Sequence, residues 1–342
     1  MESVQIKTTS GCGGVTKYCF AQVPTPLEYN ASLSRELDIR VYIKREDLID
    51  QLASGNKLRK LEYLLWKGIN SGASCFLSAG STQSNQCKAL AYTSNMLGKR
   101  CYLIYAGDVH KCPTTVTGNY LLSIVFGAEI IWREHLPWAV VNQEIDSFKD
   151  ILMEKDEFPF IIFPGASEWP GILGYVEAAN ELAKQEASAG ISIDHVISAF
   201  GSGGTATGVA FGAVRLKKPW TIWGSCISES RCQAKHRVDG LIDGFPQRLD
   251  ESVRSLPNLL LFDGAMGKGY DVHDFSEVDF IFYMARKHNI IIDPNYVGKA
   301  FQALFQLRKI NEIKSGQTVV VIHSGGMHGF LGGSSALDSI LT

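Results

Sequence analysis

The segment Asp194-His-Val-Ile-Ser-Ala-Phe-Gly-Ser-Gly-Gly-Thr-Ala-Thr-Gly208 carries the strongest structural signal in this chain. Its apolar start predicts a buried β-strand, its glycines predict a tight turn, and residues 209–216 predict a helix. Gly201, Gly203 and Gly204 allow a ligand to approach the backbone closely, and the amide N–H groups at the helix start would face an anion. This order is typical of a phosphate-binding turn.

The glycine spacing differs from that of a dinucleotide-binding turn. Such a turn has the pattern G-x-G-x-x-G and an acidic residue about 20 positions later. Here Gly208 falls too late, and the region where the acidic residue is expected reads Thr221-Ile-Trp-Gly224. A monophosphate therefore fits this turn better than NAD, and a tight turn without any ligand is the alternative.

Short apolar runs that predict further buried strands recur along the chain, and segments with helical periodicity lie between most of them. The predicted strands are 41–43, 75–78, 100–105, 129–132, 159–163, 195–200, 221–227 and 318–323. Alternation of strand and helix predicts an α/β fold with a parallel, doubly wound sheet. No low-complexity segment or obvious linker interrupts the pattern.

Composition narrows the possible functions. The 342 residues include 33 basic and 35 acidic side chains, a net charge of −2, which offers no broad basic surface for nucleic acid. The chain is long enough for two closely associated domains. Because the start MESVQIKTTS lacks a signal-peptide pattern and no apolar run reaches about 18 residues, we expect a soluble, cytoplasmic protein without membrane spans.

The eight cysteines lack a C-x-x-C pair or any regular metal-binding spacing. Free thiols in a reducing compartment are the simplest interpretation, and Cys75 and Cys101 lie within apolar runs where they would pack as small hydrophobic residues. We expect no metal site.

A lysine lies in the first turn of a predicted helix. The run Ser54-Gly-Asn-Lys-Leu58 precedes apolar residues that repeat on one helical face, namely Leu58, Leu61, Leu64 and Leu65. A cation at this position opposes the helix dipole and is partly desolvated, which favours the neutral amine that attacks an aldehyde. Without further context, a solvated surface lysine is the favoured interpretation of Lys57, because most lysines in first helical turns are of that kind.

A polar segment, Ala79-Gly-Ser-Thr-Gln-Ser-Asn-Gln86, follows a predicted strand and opens another predicted helix. It presents hydroxyls, amides and backbone N–H groups at one point, which can bind a carboxylate. An ordinary helix-capping loop is the alternative.

Taken together, these segments resemble the fold type II pyridoxal phosphate (PLP) enzymes, and within them the group that contains D-cysteine desulfhydrase and 1-aminocyclopropane-1-carboxylate deaminase. The resemblance spans nearly the whole chain and is specific because six motifs occur in order. They are Lys44-Arg-Glu-Asp47, Ser54-Gly-Asn-Lys-Leu-Arg-Lys-Leu-Glu62, Gln83-Ser-Asn85, Gly201-Ser-Gly-Gly-Thr205, Asp293-Pro-Asn-Tyr-Val-Gly-Lys-Ala300 and His323-Ser-Gly-Gly326.

The resemblance implies two α/β domains with PLP between them. The smaller domain would comprise residues 58–172, and the larger, PLP-binding domain would comprise 1–57 and 173–342. Homodimers are usual in the family.

It also implies roles for individual residues. Lys57 would carry PLP as a Schiff base and move the Cα proton. The phosphate would be held by Gly201, Ser202, Gly203, Gly204 and Thr205.

Other family positions would face the ring and the substrate. Asn85 matches the residue that hydrogen-bonds the phenolic oxygen of PLP. Ser84 matches the one that meets the substrate carboxylate, and the resemblance also implies a catalytic role for it as acid, base or nucleophile. Gln86 completes the substrate-binding segment. Tyr296 matches a catalytic tyrosine that faces the substrate, and Tyr270 matches a second one more loosely. Buried tyrosines with satisfied hydroxyls are the alternative.

Two positions depart from the deaminase pattern. The deaminase has a glutamate that can pair with the pyridine nitrogen, and this chain has Val297 there, where many desulfhydrases have threonine. Ser324 occupies the position of a desulfhydrase threonine that can meet the same nitrogen. Because a neutral hydroxyl does not enforce a protonated ring, ring opening by the deaminase route is disfavoured.

The leading prediction is a PLP-dependent lyase that converts D-cysteine into pyruvate, ammonia and hydrogen sulfide. An apolar Val297 near the site could instead favour another β-substituted amino acid. The alternatives are the deaminase reaction, which gives 2-oxobutyrate and ammonia, and a non-catalytic PLP-binding homologue.

Residues 225–236 show no readable pattern. Arg231, Lys235 and His236 could meet a second anionic group of a substrate, although solvated surface charges are the favoured interpretation. We interpret His323 as structural, and the role of His328 is open.

Overall fold

The computed structural model describes residues 6–106, 115–134, 136–244, 253 and 255–332. The strands are β1 (Thr8–Ser10), β2 (Thr16–Tyr18), β3 (Leu27–Tyr29), β4 (Arg40–Lys44), β5 (Cys75–Gly80), β6 (Arg100–Tyr105), β7 (Glu129–Trp132), β8 (Pro159–Ile161), β9 (His195–Phe200), β10 (Thr221–Cys226), β11 (Leu259–Phe262) and β12 (Thr318–Ile322).

The helices alternate with these strands. They are α1 (Ala31–Leu37), α2 (Lys57–Asn70), α3 (Asn85–Met96), α4 (Gly118–Val125), α5 (Val141–Met153), α6 (Leu173–Ser188), α7 (Gly204–Arg215), α8 (Arg231–Asp243), α9 (Phe275–His288), α10 (Val297–Lys309) and α11 (Met327–Leu331).

Two main sheets organise the fold. The larger has the strand order β11-β10-β9-β12-β4-β3 and is parallel except for β3, which pairs antiparallel with β4. The smaller has the order β7-β6-β5-β8 and is entirely parallel. A separate antiparallel pair joins β1 to β2. The carboxyl ends of the parallel strands in each sheet therefore form one edge that can carry a site.

Both faces of each main sheet are covered, which explains why their central strands are continuous apolar runs. Along β9, Val196 and Phe200 pack into a cluster with residues of α6 and α7, whereas Ile197 joins a cluster with residues of α10. Along β5, Phe76 packs with leucines of α2 and α3, and Leu77 packs toward α5. The α/β fold with parallel sheets flanked by helices is confirmed.

A buried ion pair fixes the start of α2. Arg59 donates from Nε to Oε2 of Glu46 at 2.7 Å and from Nη2 to Oε1 at 2.8 Å. Glu46 is fully buried, and it also accepts a hydrogen bond from the hydroxyl of Tyr175 on α6 at 2.9 Å. Glu181 of α6 accepts from the same guanidinium at 3.0 Å. These contacts hold α2, the segment before it and α6 in one arrangement.

Every predicted strand is present, with end points that agree to within two residues. Two differences concern the elements themselves. The strands β1, β2, β3 and β11 were not predicted, and α7 begins at Gly204 instead of after Gly208. The alternation of strand and helix did not by itself show that the parallel strands form two sheets. A Cβ at Gly208 would lie 2.6 Å from Cβ of Tyr175, so this glycine serves close packing of α7 on α6 instead of the turn.

The proposed domain division at residues 58 and 172 stays a prediction. The smaller sheet is built from residues 75–161, and the larger sheet uses residues on both sides of that range.

The seven cysteines in the described ranges are unpaired, and Cys112 lies outside them. In the same ranges, no helix is long and apolar enough to span a membrane, and no three His, Cys, Asp or Glu side chains are placed to hold a metal ion.

Candidate active site

A cavity of about 690 Å³ lies where strands of the two main sheets end. It is lined by segments that follow β5, β8, β9, β10 and β12, and by the first turn of α2. Of the predicted site residues, the cavity brings together Lys57, Ser84, Asn85, Gln86, Gly201, Ser202, Gly203, Thr205, Tyr270, Tyr296 and Ser324. Gly204 is buried and does not line the cavity.

Lys57 is the first residue of α2, and its Nζ lies 3.5 Å from the carbonyl oxygen of Gly165. Burial lowers the pKa of Lys57 to about 8, although the carboxylate of Glu168 acts in the opposite direction. Roughly a tenth of the amine is therefore neutral at pH 7, far more than for an ordinary lysine, and the neutral form is the one that a nucleophile or base requires.

The glycine-rich turn after β9 leads directly into α7. Gly203 has a φ of +84°, and a Cβ there would lie 2.7 Å from Cζ of Phe200, so only glycine fits without strain. The side chain of Asn56 donates to Oγ1 of Thr205 at 2.9 Å, which ties the turn to the residue before Lys57. The predicted phosphate turn and the predicted lysine thus share one wall of the cavity.

The sequence did not draw attention to Lys60 and Ser167, although both support this turn. Nζ of Lys60 donates to Oγ of Ser167 at 3.0 Å and to the carbonyl oxygen of Gly165 at 3.2 Å. Oγ of Ser167 accepts from the backbone N–H of Gly204 at 3.2 Å and lies 2.7 Å from Oγ of Ser202. Burial and the nearby Lys57 lower the pKa of Lys60 well below its usual range.

The spacing of the two lysines was the available signal for Lys60, because residues three apart share a helical face. Ser167 lies in a loop and carries no comparable pattern.

Ser84 and Asn85 lie at the start of α3. Oγ of Ser84 accepts from the backbone N–H of Cys87 at 3.2 Å, so this hydroxyl is the helix cap. Oδ1 of Asn85 accepts from Nδ2 of Asn119 at 2.9 Å, and Asn119 is a fully buried residue of α4 that sequence reasoning missed. Ser84 combines the capping role with a position on the cavity wall.

Gln86 reaches the cavity wall, but its amide is engaged within the protein. Nε2 donates to the carbonyl oxygen of Phe163 at 3.0 Å and to Oγ of Ser78 at 2.9 Å, and Oε1 accepts from the backbone N–H of Gly165. These bonds attach the loop after β8 to α3. A substrate-binding role for Gln86 stays a prediction, and its contacts place it in support of that loop.

Tyr270 and Tyr296 both line the cavity, and their rings contact each other with centroids 5.8 Å apart. The hydroxyl oxygen of Tyr270 lies 2.9 Å from Oγ of Ser81, which follows β5. Burial raises the pKa of Tyr270 to about 12 and that of Tyr296 well above its usual range. Both phenols therefore stay protonated at neutral pH and can act as hydrogen-bond donors.

Ser324 follows β12, and its carbonyl oxygen accepts from the backbone N–H of Asn56 at 3.1 Å. Val297 corrects an expectation, because its side chain is fully buried in the hydrophobic cluster of α10 and does not line the cavity. The backbone N–H of Val297 donates to Oδ1 of Asp293 at 2.9 Å.

The residues after β10 form a capped helix. Ser230 and Gln233 make a capping box at the start of α8. Arg231, Lys235 and His236 are exposed and absent from the cavity wall; Arg237 reaches it instead, and its Nε donates to Glu229 at 3.1 Å.

The two histidines near Ser324 differ in their surroundings. Nε2 of His323 lies 2.8 Å from the carbonyl oxygen of Ile291, which fits the predicted structural role. Nδ1 of His328 lies 3.2 Å from Nζ of Lys88, and His328 is not part of the cavity wall.

A family profile described as "Pyridoxal-phosphate dependent enzyme" matches residues 19–325. This chain belongs to that family of PLP-dependent enzymes.

Individual relatives place it within the expected group. A Pyrococcus abyssi protein named "Putative 1-aminocyclopropane-1-carboxylate deaminase" is 32% identical over 306 residues, which cover 89% of this chain and 90% of that protein. A Thermotoga maritima protein of the same name is 30% identical over 319 residues, covering 92% and 97%.

Among solved structures, one titled "Crystal Structure Analysis of the ACC deaminase homologue" superimposes with a TM-score of 0.83, 29% identity and 94% coverage of each chain. The crystal structure of a threonine deaminase, at 18% identity and a TM-score of 0.65, covers 90% of this chain and 93% of that chain and shares the fold. The fold type II PLP assignment and the PLP cofactor are confirmed.

The cavity residues fit a phosphorylated cofactor. A Cβ at Gly204 would lie 2.4 Å from Oγ of Ser167 and 3.0 Å from Nζ of Lys60, so the glycine turn is a cradle that any side chain would fill. Lys60 is buried beside this cradle, with hydrogen bonds to neutral oxygens. An anionic phosphate would favour the charged form of Lys60, whose pKa is otherwise lowered, and would interact with the amide dipoles at the start of α7.

Proposed function

We propose that this PLP-dependent enzyme eliminates the β-substituent of a small amino acid, with D-cysteine as the leading substrate. The overall reaction consumes one water and gives pyruvate, ammonia and hydrogen sulfide. The second candidate is deamination of 1-aminocyclopropane-1-carboxylate to 2-oxobutyrate and ammonia, which the names of the relatives favour. A cytoplasmic homodimer remains our expectation.

The charged groups that line the cavity support ranking β-elimination above the deaminase reaction. Glu229 is the sole carboxylate of the described wall, and it accepts hydrogen bonds from Arg237. The side chain of Val297 is buried elsewhere, which leaves the hydroxyl of Ser324 as the group at the position expected to meet the pyridine nitrogen. Nothing in this part of the wall enforces a protonated ring.

Bound PLP would supply an electron sink for the electron pair released at Cα. A weaker sink would suffice for elimination, because the electron pair at Cα forms the Cα–Cβ double bond as the Cβ–S bond breaks and its pair leaves with the thiolate. Ring opening has no such leaving group. The surroundings of Ser324 therefore favour β-elimination over the deaminase route.

Side chains of the cavity wall have distinct roles in the proposed reaction. Neutral Lys57 removes the Cα proton, and the hydroxyl of Ser84 with the start of α3 binds the substrate carboxylate. Asn85 would donate to the phenolic oxygen of the bound cofactor, and residues 201–205 would hold its phosphate. Tyr270 and Tyr296, which stay protonated, donate hydrogen bonds to the departing sulfur.

The test is an activity comparison on PLP-loaded protein, with D-cysteine and 1-aminocyclopropane-1-carboxylate as substrates. We expect pyruvate and sulfide in equal amounts from D-cysteine, and little 2-oxobutyrate from the cyclopropane substrate. Lys57→Ala should abolish turnover, whereas Lys67→Ala, an exposed lysine near the end of the same helix, should not. Faster 2-oxobutyrate formation would reverse the ranking, and no product from either substrate would reject both reactions.

A further inference from the structure

Lys299 is a fully buried cation whose hydrogen bonds all go to backbone carbonyl oxygens. It lies on α10, and its Nζ donates to the carbonyl oxygens of Met266 and Gly269 at 2.6 Å each and of Ile227 at 3.2 Å. An ammonium group has three N–H donors, and these three acceptors use all of them. The nearest carboxylate oxygen, Oε1 of Glu277, is 3.7 Å away.

The three carbonyl oxygens belong to segments that shape the cavity. Ile227 follows β10 and lines the cavity wall. Met266 and Gly269 lie in the turn just before Tyr270, whose hydroxyl reaches Ser81 at the end of the smaller sheet. The ammonium therefore joins the cavity edge of the larger sheet to the turn that presents Tyr270.

We propose that the carbonyl oxygens of Ile227, Met266 and Gly269 form a monovalent-cation site that the Lys299 ammonium fills from within the chain, and that Lys299 thereby positions Tyr270. The positioning part rests on the proposed role of Tyr270 in the reaction. The cation-site part rests only on the contacts of Lys299.

The physical argument concerns what happens when the ammonium is removed. Three carbonyl dipoles and the nearby buried carboxylate of Glu277 would then have lost their positive partner. Buried acceptors without a partner are destabilising. Carbonyl oxygens bind hard cations. A free ammonium or potassium ion can therefore replace the lost group, whereas tetramethylammonium is too large and has no N–H donor.

The first test measures stability alone and needs no bound PLP. The thermal midpoint of Lys299→Ala is measured in ammonium, potassium and tetramethylammonium chloride at equal ionic strength. We expect ammonium or potassium to raise the midpoint of the variant by about 3 °C or more over tetramethylammonium, and to leave the wild-type difference near zero.

A matched control removes a different lysine. Lys218→Ala deletes an ammonium that bonds to the carboxylate of Glu186 before the amino end of β10, and it should show no cation preference. If Lys299→Ala behaves like this control, the cation site is rejected. Should Lys299→Ala fail to fold, Lys299→Gln is measured instead, because its amide can still donate to the carbonyl oxygens. Its thermal midpoint should rise in ammonium or potassium chloride, but by less than that of the alanine variant. If the midpoint of the glutamine variant shows no cation dependence, the site is rejected.

The second test concerns Tyr270. In tetramethylammonium chloride, Lys299→Ala should lower kcat for the preferred substrate about tenfold with less change in KM, and ammonium should restore it. In a Tyr270→Phe background the same substitution should have little further effect. An equal loss with and without the Tyr270 hydroxyl would overturn the positioning role. If wild-type protein has no turnover, the proposed function fails while the stability test still decides the cation site.

Discussion

The side-chain amide of Asn119 donates to Oδ1 of Asn85 at 2.9 Å and to the backbone carbonyl oxygen of Gln83 at 2.8 Å. Because Oδ1 of Asn85 is engaged in this way, its N–H₂ group remains to donate to a partner in the cavity. The orientation of a predicted cofactor-binding residue is thus set by a buried residue from the next helix.

This relationship predicts weaker cofactor binding when the Asn119 amide is removed. Asn119→Ala frees the Asn85 amide to rotate, and we expect about a tenfold higher dissociation constant for PLP, the equivalent of roughly one hydrogen bond. Titration of apoprotein with PLP, followed by visible absorbance, measures it. Asn95→Ala, at the exposed end of α3, is the control and should bind PLP normally. Equal affinities for the two variants would contradict the prediction.

The pKa of Lys57 predicts how cofactor attachment depends on pH. Burial lowers this pKa to about 8, so the amine is largely neutral above that pH and loses reactivity about tenfold per pH unit below it. We expect the rate of PLP attachment to apoprotein to reach half of its maximum near pH 8, as measured by stopped-flow absorbance.

Glu168→Gln provides the matched variant. The Glu168 carboxylate favours the charged form of Lys57, and a glutamine can still accept the hydrogen bond from the backbone N–H of Phe163. Its midpoint should therefore shift to lower pH. A wild-type midpoint at or above pH 10 would show that burial does not lower the pKa of Lys57.

The glycine cradle predicts a steric block. An alanine at Gly204 would press its Cβ against Oγ of Ser167, 2.4 Å away, and displace the groups around the proposed phosphate site. We expect Gly204→Ala to lower PLP affinity by at least a hundredfold, as measured by equilibrium dialysis. Gly240→Ala, on α8 with open space around the new Cβ, should retain affinity and stabilise the helix slightly. Unchanged affinity in Gly204→Ala would place the phosphate elsewhere.

The buried pair of Glu46 and Arg59 predicts a pH-dependent contribution to stability. The Arg59 guanidinium lowers the pKa of Glu46 from its ordinary value of 4.5 to about 2 against the effect of burial. The lowered pKa means that this contribution is complete above about pH 4.5 and is lost as the pH falls toward 2.

Glu46→Gln removes one partner of this pair and should lower the free energy of unfolding by about 3 kcal/mol at pH 7, because Arg59 is left short of its buried counterion. Thermal midpoints should show the gap between wild type and variant narrowing from pH 5 to pH 3. A constant gap across that range would show that the carboxylate is not the source of the pH dependence.

The strands and the positions of the chemical motifs could be predicted from the amino-acid order. A strand that is buried on both faces of a parallel sheet needs a continuous apolar run, such as 195–200, and such a run can be recognised in the sequence. The glycine turn at 201–205 and the lysine at the start of α2 are likewise local, since backbone freedom and helix ends depend on neighbouring residues.

Contacts between distant residues depend on the tertiary structure. Lys60 meets Ser167 across 107 positions, and Lys299 meets Ile227 across 72. Val297 lies in the core instead of the cavity wall, and its backbone N–H donates to Asp293, four positions earlier, at the start of α10. The order of amino acids therefore determined the family chemistry and the local elements, whereas packing decided which side chains support the site, since hydrogen-bond geometry exists only once separate elements have docked.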